Sequence, residues 1–252
     1  MYVFEHEDEI VIVDAGVMFP EENLLGVDYV IPDYTHLFKK QKKIKALIIT
    51  HGHEDHIGGI PFLLQKIHIP VIYAPRFAKA LINRKLEERR MKNKVKIVEI
   101  NTESKVNTKH FSVGFFNVIH SIPDSLGVLL NTPNGRIVST GDFKFDLTPV
   151  GASSDYQIMS YMGEIGIDLL LSDSTNAGVS GFSISEKDVS KSIMEIFRKT
   201  DGRIILATFA SNVYRVQQII ESAIASDRKI AIFGRSMENV VTIARKLGHI
   251  KA

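Results

Sequence analysis

Short apolar runs, each closed by a polar residue, set the rhythm of the first half of the chain. Ile10-Val11-Ile12-Val13 predicts a strand ending at Asp14-Ala15-Gly16, and residues 45–50 predict a second. Ile57, Ile60, Leu63, Leu64 and Ile67 then recur at helical spacing, with Gly58-Gly59 allowing the first turn a close approach to the preceding loop. A strand at 71–74 and a helix over 77–91 come next. Strands follow at 95–100, 111–119, 127–131 and 136–140, the last two joined by the turn Pro133-Asn134-Gly135. Residues 168–172 read as one more strand. These strands end repeatedly at His or Asp (His51, His120, Asp142, Asp173), and the carboxyl ends of strands are where an α/β architecture gathers its chemistry.

The rhythm changes after Asn176-Ala177-Gly178-Val179-Ser180-Gly181. A helix over 185–199, with Ser185 as its N-cap, leads to a strand at 203–209. A helix over 212–225, a strand at 229–233 and a helix over 236–247 complete the alternation. Strand–helix alternation predicts a parallel sheet and a second domain. The chain shows no internal repeat and no low-complexity tract.

Composition narrows the class without naming the chemistry. The 252 residues leave room for one large domain or two smaller ones, and 44% hydrophobic with 24% charged residues is ordinary for a globular protein. A net charge of +2 argues neither for nor against a polyanionic partner. Lys39-Lys40-Gln41-Lys42-Lys43 and Arg84-Lys85 with Arg89-Arg90 read as solvated faces. Without cysteine there are no disulfides or thiolate metal sites, which fits a reducing compartment. No apolar run approaches the roughly 20 residues that span a bilayer, and the first residues lack signal-peptide features. The expectation is a cytoplasmic, soluble protein with no membrane partner.

Thr50-His51-Gly52-His53-Glu54-Asp55-His56-Ile57-Gly58-Gly59 changes the picture. Adjacent imidazoles and carboxylates are costly to bury uncompensated, and a metal pair supplies the compensation. His51 and His53 on an extended loop can face one cation, and Asp55 and His56 on the next turn a second. Two imidazoles do not complete a four-coordinate shell, so His120 and Asp142, each following an apolar strand, are the natural additions. A carboxylate such as Asp142 can bridge two cations. A water between cations about 3.5–4 Å apart becomes hydroxide near neutral pH, so the chemistry expected is hydrolysis of a phosphodiester, thioester, ester or lactam. Zinc or manganese suits such O/N ligands. Asp14 reads equally as a group holding a ligand histidine from behind or as a turn residue. His6, His36, His68, His110 and His249 lack clustered partners in the sequence and read as surface or structural.

The pattern His51-x-His53-x-Asp55-His56 resembles the signature of the metallo-β-lactamase superfamily, and the chain is similar to the ribonuclease J family of its β-CASP branch. The stretches that carry the likeness begin with Val13-Asp14-Ala15-Gly16-Val17-Met18-Phe19-Pro20, Leu25-Gly26-Val27-Asp28-Tyr29-Val30-Ile31-Pro32-Asp33 and His120-Ser121-Ile122-Pro123-Asp124-Ser125. Thr140-Gly141-Asp142-Phe143-Lys144-Phe145-Asp146, Leu171-Ser172-Asp173-Ser174-Thr175-Asn176, Ala207-Thr208-Phe209-Ala210-Ser211-Asn212 and Gly234-Arg235-Ser236-Met237 continue it.

The resemblance implies an α/β fold, a metallo-β-lactamase αββα sandwich over 1–177 that is incomplete, followed by the first part of a β-CASP domain over 178–252. It implies a two-metal ribonuclease of RNA maturation and decay. Such an enzyme cleaves single-stranded RNA internally and from a 5′-monophosphate end, and is homo-oligomeric at full length. His51, His53, His120 and Asp142 would hold one metal, and Asp55, His56 and the bridging Asp142 the other, with Asp55, His56 and Asp142 as catalytic residues. Asp14 would support the site from behind, and Asp173 matches the acidic motif that opens the β-CASP insertion.

Members of that family carry a Gly-Gly-x-Gly-Glu-Ile-Gly segment ahead of the position of Met1. Beyond that of Ala252 they carry a His-x-Ser-Gly-His segment for phosphate binding and catalysis, and a further histidine for the second metal. The expectation is therefore a polypeptide that alone is poorly folded or inactive. Two other functions stand beside the nuclease: a non-catalytic RNA-binding or assembly subunit, and a small-molecule hydrolase of thioesters or lactams. The long second α/β segment argues against the latter.

Overall fold

The computed structural model describes residues 1–22 and 24–251. The first apolar run forms β2 (Glu9–Val13), every residue of which is buried because both of its faces are covered. Ile10 and Ile12 join one apolar cluster while Val11 and Val13 join another, the period of two that a strand imposes. β1 (Tyr2–His6) pairs antiparallel with β2. On the other side β3 (Ile44–Ile48), β4 (Val71–Pro75) and β5 (Lys96–Ile100) add in parallel, giving the order β1-β2-β3-β4-β5. The crossovers carry α1 (Thr35–Lys39), then α2 (Glu54–Ile57) and α3 (Ile60–Lys66), then α4 (Arg76–Glu88).

A second sheet runs β10-β9-β8-β7-β6. β6 (Val106–Asn107), β7 (Ser112–Asn117), β8 (Leu126–Thr132) and β9 (Gly135–Ser139) form an antiparallel meander. β10 (Leu169–Leu171) lies parallel to β9 because α5 (Tyr156–Ile165) makes the crossover between them.

The two sheets meet face to face. Val11, Val13 and Ile48 of the first pack on Val113, Phe115, Val128 and Leu130 of the second. Ile60, Leu63 and Leu64 of α3 with Ile82 and Leu86 of α4 cover the outer face of the first sheet. Ile158, Met159 and Met162 of α5 cover Phe116 and Val138 on the outer face of the second. The result is the expected αββα sandwich. Each large apolar side chain buried this way contributes about 1.5–3 kcal/mol, so the strand ends that carry polar residues are rigid mounts.

The structure departs from expectation in several places, the unforeseen short elements β1, α1 and β6 among them. The helix expected through Ile57 and Ile67 is broken at Gly58-Gly59, because the Gly59 N–H donates to Ala15 O at 2.8 Å instead of continuing the helical ladder. α5 was not signalled by the apolar pattern, although Asp155 caps it by accepting from Ile158 N at 3.1 Å. The strands expected at 203–209 and 229–233 are absent: neither stretch has a ladder partner among the described residues. An extended segment without a neighbour leaves its N–H and C=O groups to solvent, and Ile205, Phe209 and Phe233 are correspondingly exposed. Side chains hold the helices there instead. α6 (Glu186–Lys199), capped by Ser185 as expected, packs on α7 (Val213–Ala225) through Ile193, Phe197 and Ala223. α7 and α8 (Arg235–Leu247) close over Phe77 at the start of α4.

Candidate metal centre

All six residues expected to meet do so at one end of the sandwich. Asp14 follows β2, His51 to His56 follow β3, His120 follows β7 and Asp142 follows β9. Asp14 stands in left-handed backbone (φ 60°), a conformation that a non-glycine residue keeps only when its surroundings hold it. Here they do. Its Oδ1 accepts from Thr50 N at 2.8 Å, and its Oδ2 accepts from Thr50 Oγ1 at 2.9 Å and His56 Nδ1 at 2.8 Å. Having donated to Asp14, Thr50 Oγ1 is left to accept from His51 Nδ1 at 3.0 Å. Both His51 and His56 therefore keep a proton on Nδ1 and turn Nε2 into the cluster.

The inward nitrogens converge. His53 Nδ1 lies 3.2 Å from His51 Nε2 and 2.9 Å from His120 Nε2. Asp142 divides its oxygens between two groups: Oδ2 is 3.9 Å from His51 Nε2 and 3.6 Å from His120 Nε2, while Oδ1 is 3.2 Å from His56 Nε2. Asp55 Oδ2 sits 3.6 Å from His56 Nε2 on that second side. Two donor sets result, His51–His53–His120–Asp142 and Asp55–His56–Asp142, each offering atoms within 4.8 Å of one another.

Burial, with repulsion from neighbouring imidazoles, pushes His51 well below the usual histidine range and His120 down to about 4. Burial lowers His53 as well. Three neutral imidazoles thus face one point, where at most a single proton could lie between them. A divalent cation satisfies all three lone pairs and the Asp142 carboxylate together, so the residues present fit a metal. His56 goes the other way: burial opposes its charge, but Asp14 and Asp142 outweigh it and lift the imidazole to about 10. Burial raises Asp142, yet His56 beside it leaves the carboxyl below its ordinary value.

Glycine closes the site. The Asp14-Ala15-Gly16 loop is laced to the histidine loop by Ala15 N–H to His56 O (2.8 Å) and Val17 N–H to Glu54 O (3.2 Å). A Cβ on Gly16 would fall 1.5 Å from Asp55 O, so no side chain fits there.

Other expected residues are placed differently. Asp173 Oδ1 accepts from Thr175 N and Oγ1 of its own loop (2.8 and 2.7 Å), and its carboxylate reaches the cluster only as a charge near His120. Arg84 and Lys85 are not merely a solvated face: they line a cleft of about 390 Å³ beside His53, with Glu54, Ser211 and Arg235. Thr50 and Gly16 are the functional positions that pattern alone did not single out. His6 and His110, which sequence left isolated, meet with ring centroids 4.9 Å apart.

A family model for the metallo-beta-lactamase superfamily matches residues 1–174. The chain belongs to the metallo-β-lactamase superfamily. Within that superfamily, a model described as the ribonuclease J beta-CASP domain matches residues 201–252. The chain is 54% identical over 250 residues to Ribonuclease J 1 of Streptococcus pyogenes serotype M3, covering 99% of this chain and 44% of that protein. It is 47% identical to Ribonuclease J of Mycoplasma genitalium, covering 98% and 44%, and 43% identical to Ribonuclease J2 of Bacillus subtilis, covering 100% and 45%. The chain thus spans less than half the length of these relatives and matches their amino-terminal part. A crystal structure of a protein of unknown function from Enterococcus faecalis V583 shares the fold, with a TM-score of 0.70 at 17% identity, covering 99% of this chain and 64% of that one. Among the described residues no helix is long and apolar enough to cross a membrane.

Proposed function

We propose that this chain is the metal-binding, amino-terminal part of a ribonuclease that hydrolyses phosphodiester bonds of single-stranded RNA, from the 5′ end and internally. The observation that carries this reading is Asp142, whose two oxygens face separate donor sets. His51, His53, His120 and Asp142 would hold one cation, and Asp55, His56 and Asp142 a second. The imidazole-rich first set suits zinc, and the carboxylate-rich second accepts zinc or manganese. Two cations held there would supply a nucleophile at neutral pH and Lewis-acid stabilisation of the attacking and leaving oxygens.

The chain's own groups prepare the site for that chemistry. Asp14 and Thr50 fix the rings of His51 and His56 so that Nε2 points inward. Arg84, Lys85 and Arg235 put positive charge beside His53, where a phosphodiester backbone would lie. Glu54 at 2.8 Å partly neutralises the Lys85 ammonium and Glu88 at 2.9 Å the Arg84 guanidinium, leaving Arg235 to carry most of that attraction. We also propose a division into two domains near residue 178, which the family models ending at 174 and beginning at 201 support.

The test replaces the matching segment of the Streptococcus pyogenes relative with this chain and follows cleavage of 5′-monophosphorylated single-stranded RNA in zinc or manganese. Cleavage should occur and disappear in the His53→Ala version. Cleavage that survives His53→Ala sinks the assignment.

A further inference from the structure

The opposite end of the sandwich carries a second cluster of metal-ligating side chains. The turn between β1 and β2 and the turn between β6 and β7 bring His6, Glu7 and His110 together, each offering an atom within 4.8 Å of the others. His110 Nε2 lies 3.2 Å from Glu7 Oε2 and 3.0 Å from Asp8 Oδ1, and the His6 and His110 rings meet edge to face. Ligands at about 2.0–2.2 Å from a tetrahedral zinc ion stand about 3.3–3.6 Å apart, so small side-chain rotations suffice.

The backbone beneath the cluster is fixed by groups that are not its ligands. Glu9, 5% exposed, accepts from His110 N at 3.0 Å and Lys109 N at 3.3 Å. Thr108 N–H donates to Phe111 O at 2.8 Å, and the Phe111 ring is buried between the sheets. His110 is therefore presented from a rigid turn, and its partners lie on the other sheet. The cluster sits before β2, whereas Asp14 follows it. A five-residue strand at about 3.3 Å per residue separates the two sites by at least about 15 Å.

We propose that His6, Glu7 and His110 form a peripheral zinc site that ties the first sheet to the second at the end remote from the histidine loop. Two imidazoles and one carboxylate select zinc over magnesium or calcium, and leave the fourth position to water. Asp8 adds negative charge beside His110, partly offset by Lys109 Nζ at 3.3 Å. A cation bound only in the folded state stabilises it.

The test counts zinc bound by the 252-residue chain in equilibrium dialysis, beside a His6→Asn/Glu7→Gln variant. The variant should hold one zinc equivalent fewer and lose part of the zinc-dependent rise in Tm. Without any variant, the imidazole nitrogen resonances of His6 and His110 in the wild-type chain should shift on zinc titration, which no destabilisation can mimic. Equal zinc counts in both chains, or resonances of His6 and His110 that stay still at saturating zinc, would overturn the site and leave an imidazole paired with carboxylates. Neither readout depends on RNA cleavage, so failure here is distinguishable from failure of the nuclease reading.

Discussion

Loading the second cation set should expel one proton, and that proton should come from His56. In the metal-free protein Asp14 at 2.8 Å and Asp142 at 3.2 Å overcome the burial that opposes its charge and raise the imidazole to about 10. The Nδ1 proton stays on the ring, donated to Asp14, whereas the Nε2 proton occupies the position a cation needs. In the metal-free protein at pH 7 a group titrating near 10 imposes a competition factor of at most about 10³, roughly 4 kcal/mol at 1.36 kcal/mol per unit. A first cation on Asp142 reduces it by repelling the imidazolium. The first set carries no such penalty, because burial already keeps His51 and His120 neutral, the latter down to about 4. Calorimetric zinc titration of the His6→Asn/Glu7→Gln variant, in two buffers of different ionisation enthalpy, reads the protons directly. The first equivalent should release none from the histidines, and the second should release about one. Apparent affinity for the second should rise about tenfold per pH unit between 6.5 and 7.5, and Asp14→Asn should weaken that dependence. A second equivalent that binds with no proton release, or with pH-independent affinity, would refute the reasoning.

Three further outcomes follow from the same geometry. Gly16→Ala should push the Asp14 loop off the Asp55 carbonyl, costing about 1–3 kcal/mol in denaturant unfolding and weakening the second cation most. Thr50→Val should leave the His51 Nδ1 proton buried without an acceptor, at a cost of about 1–3 kcal/mol. It should also lower cation affinity about 10–100-fold in a chelator competition. Glu5 is held down to about 2 by Lys40 and Lys43 with His36, against an ordinary value of 4.5. Its folded value is depressed, so its stabilisation is present above about 4.5 and lost as pH falls through about 2. Glu5→Gln should therefore cost about 0.5–1 kcal/mol at pH 7, the range of a partly exposed pair, and nothing near pH 2 in urea melts.

The histidine loop was legible because its ligands are neighbours in sequence and follow an apolar strand. His120 and Asp142 were legible for a related reason: each is a polar residue that follows an apolar strand, and β7 and β9 both run toward the end of the sandwich where the histidine loop lies. Asp14 was ambiguous until three dimensions showed its carboxylate spanning Thr50 and His56. Thr50 itself left no signal, since a hydroxyl that ends a strand reads as an ordinary turn residue. Gly16 matters only because another loop passes within a carbon radius of it. His6 and His110 looked isolated because the turns that pair them belong to different sheets. The error at 203–209 and 229–233 is of another kind. An apolar, β-branched run records a preference for extended backbone, whereas a strand also needs a neighbour, and none lies among the described residues.

Anomalous diffraction from crystals of the zinc-loaded chain tests the two-cation centre most directly. At this centre the account predicts two peaks about 3.5–4 Å apart, one among His51, His53, His120 and Asp142 and the other against Asp55, His56 and the second oxygen of Asp142, apart from any peak at His6 and His110. A fully loaded crystal with no peak in the histidine loop, or with a single peak that leaves Asp55 and His56 without a cation, would contradict it.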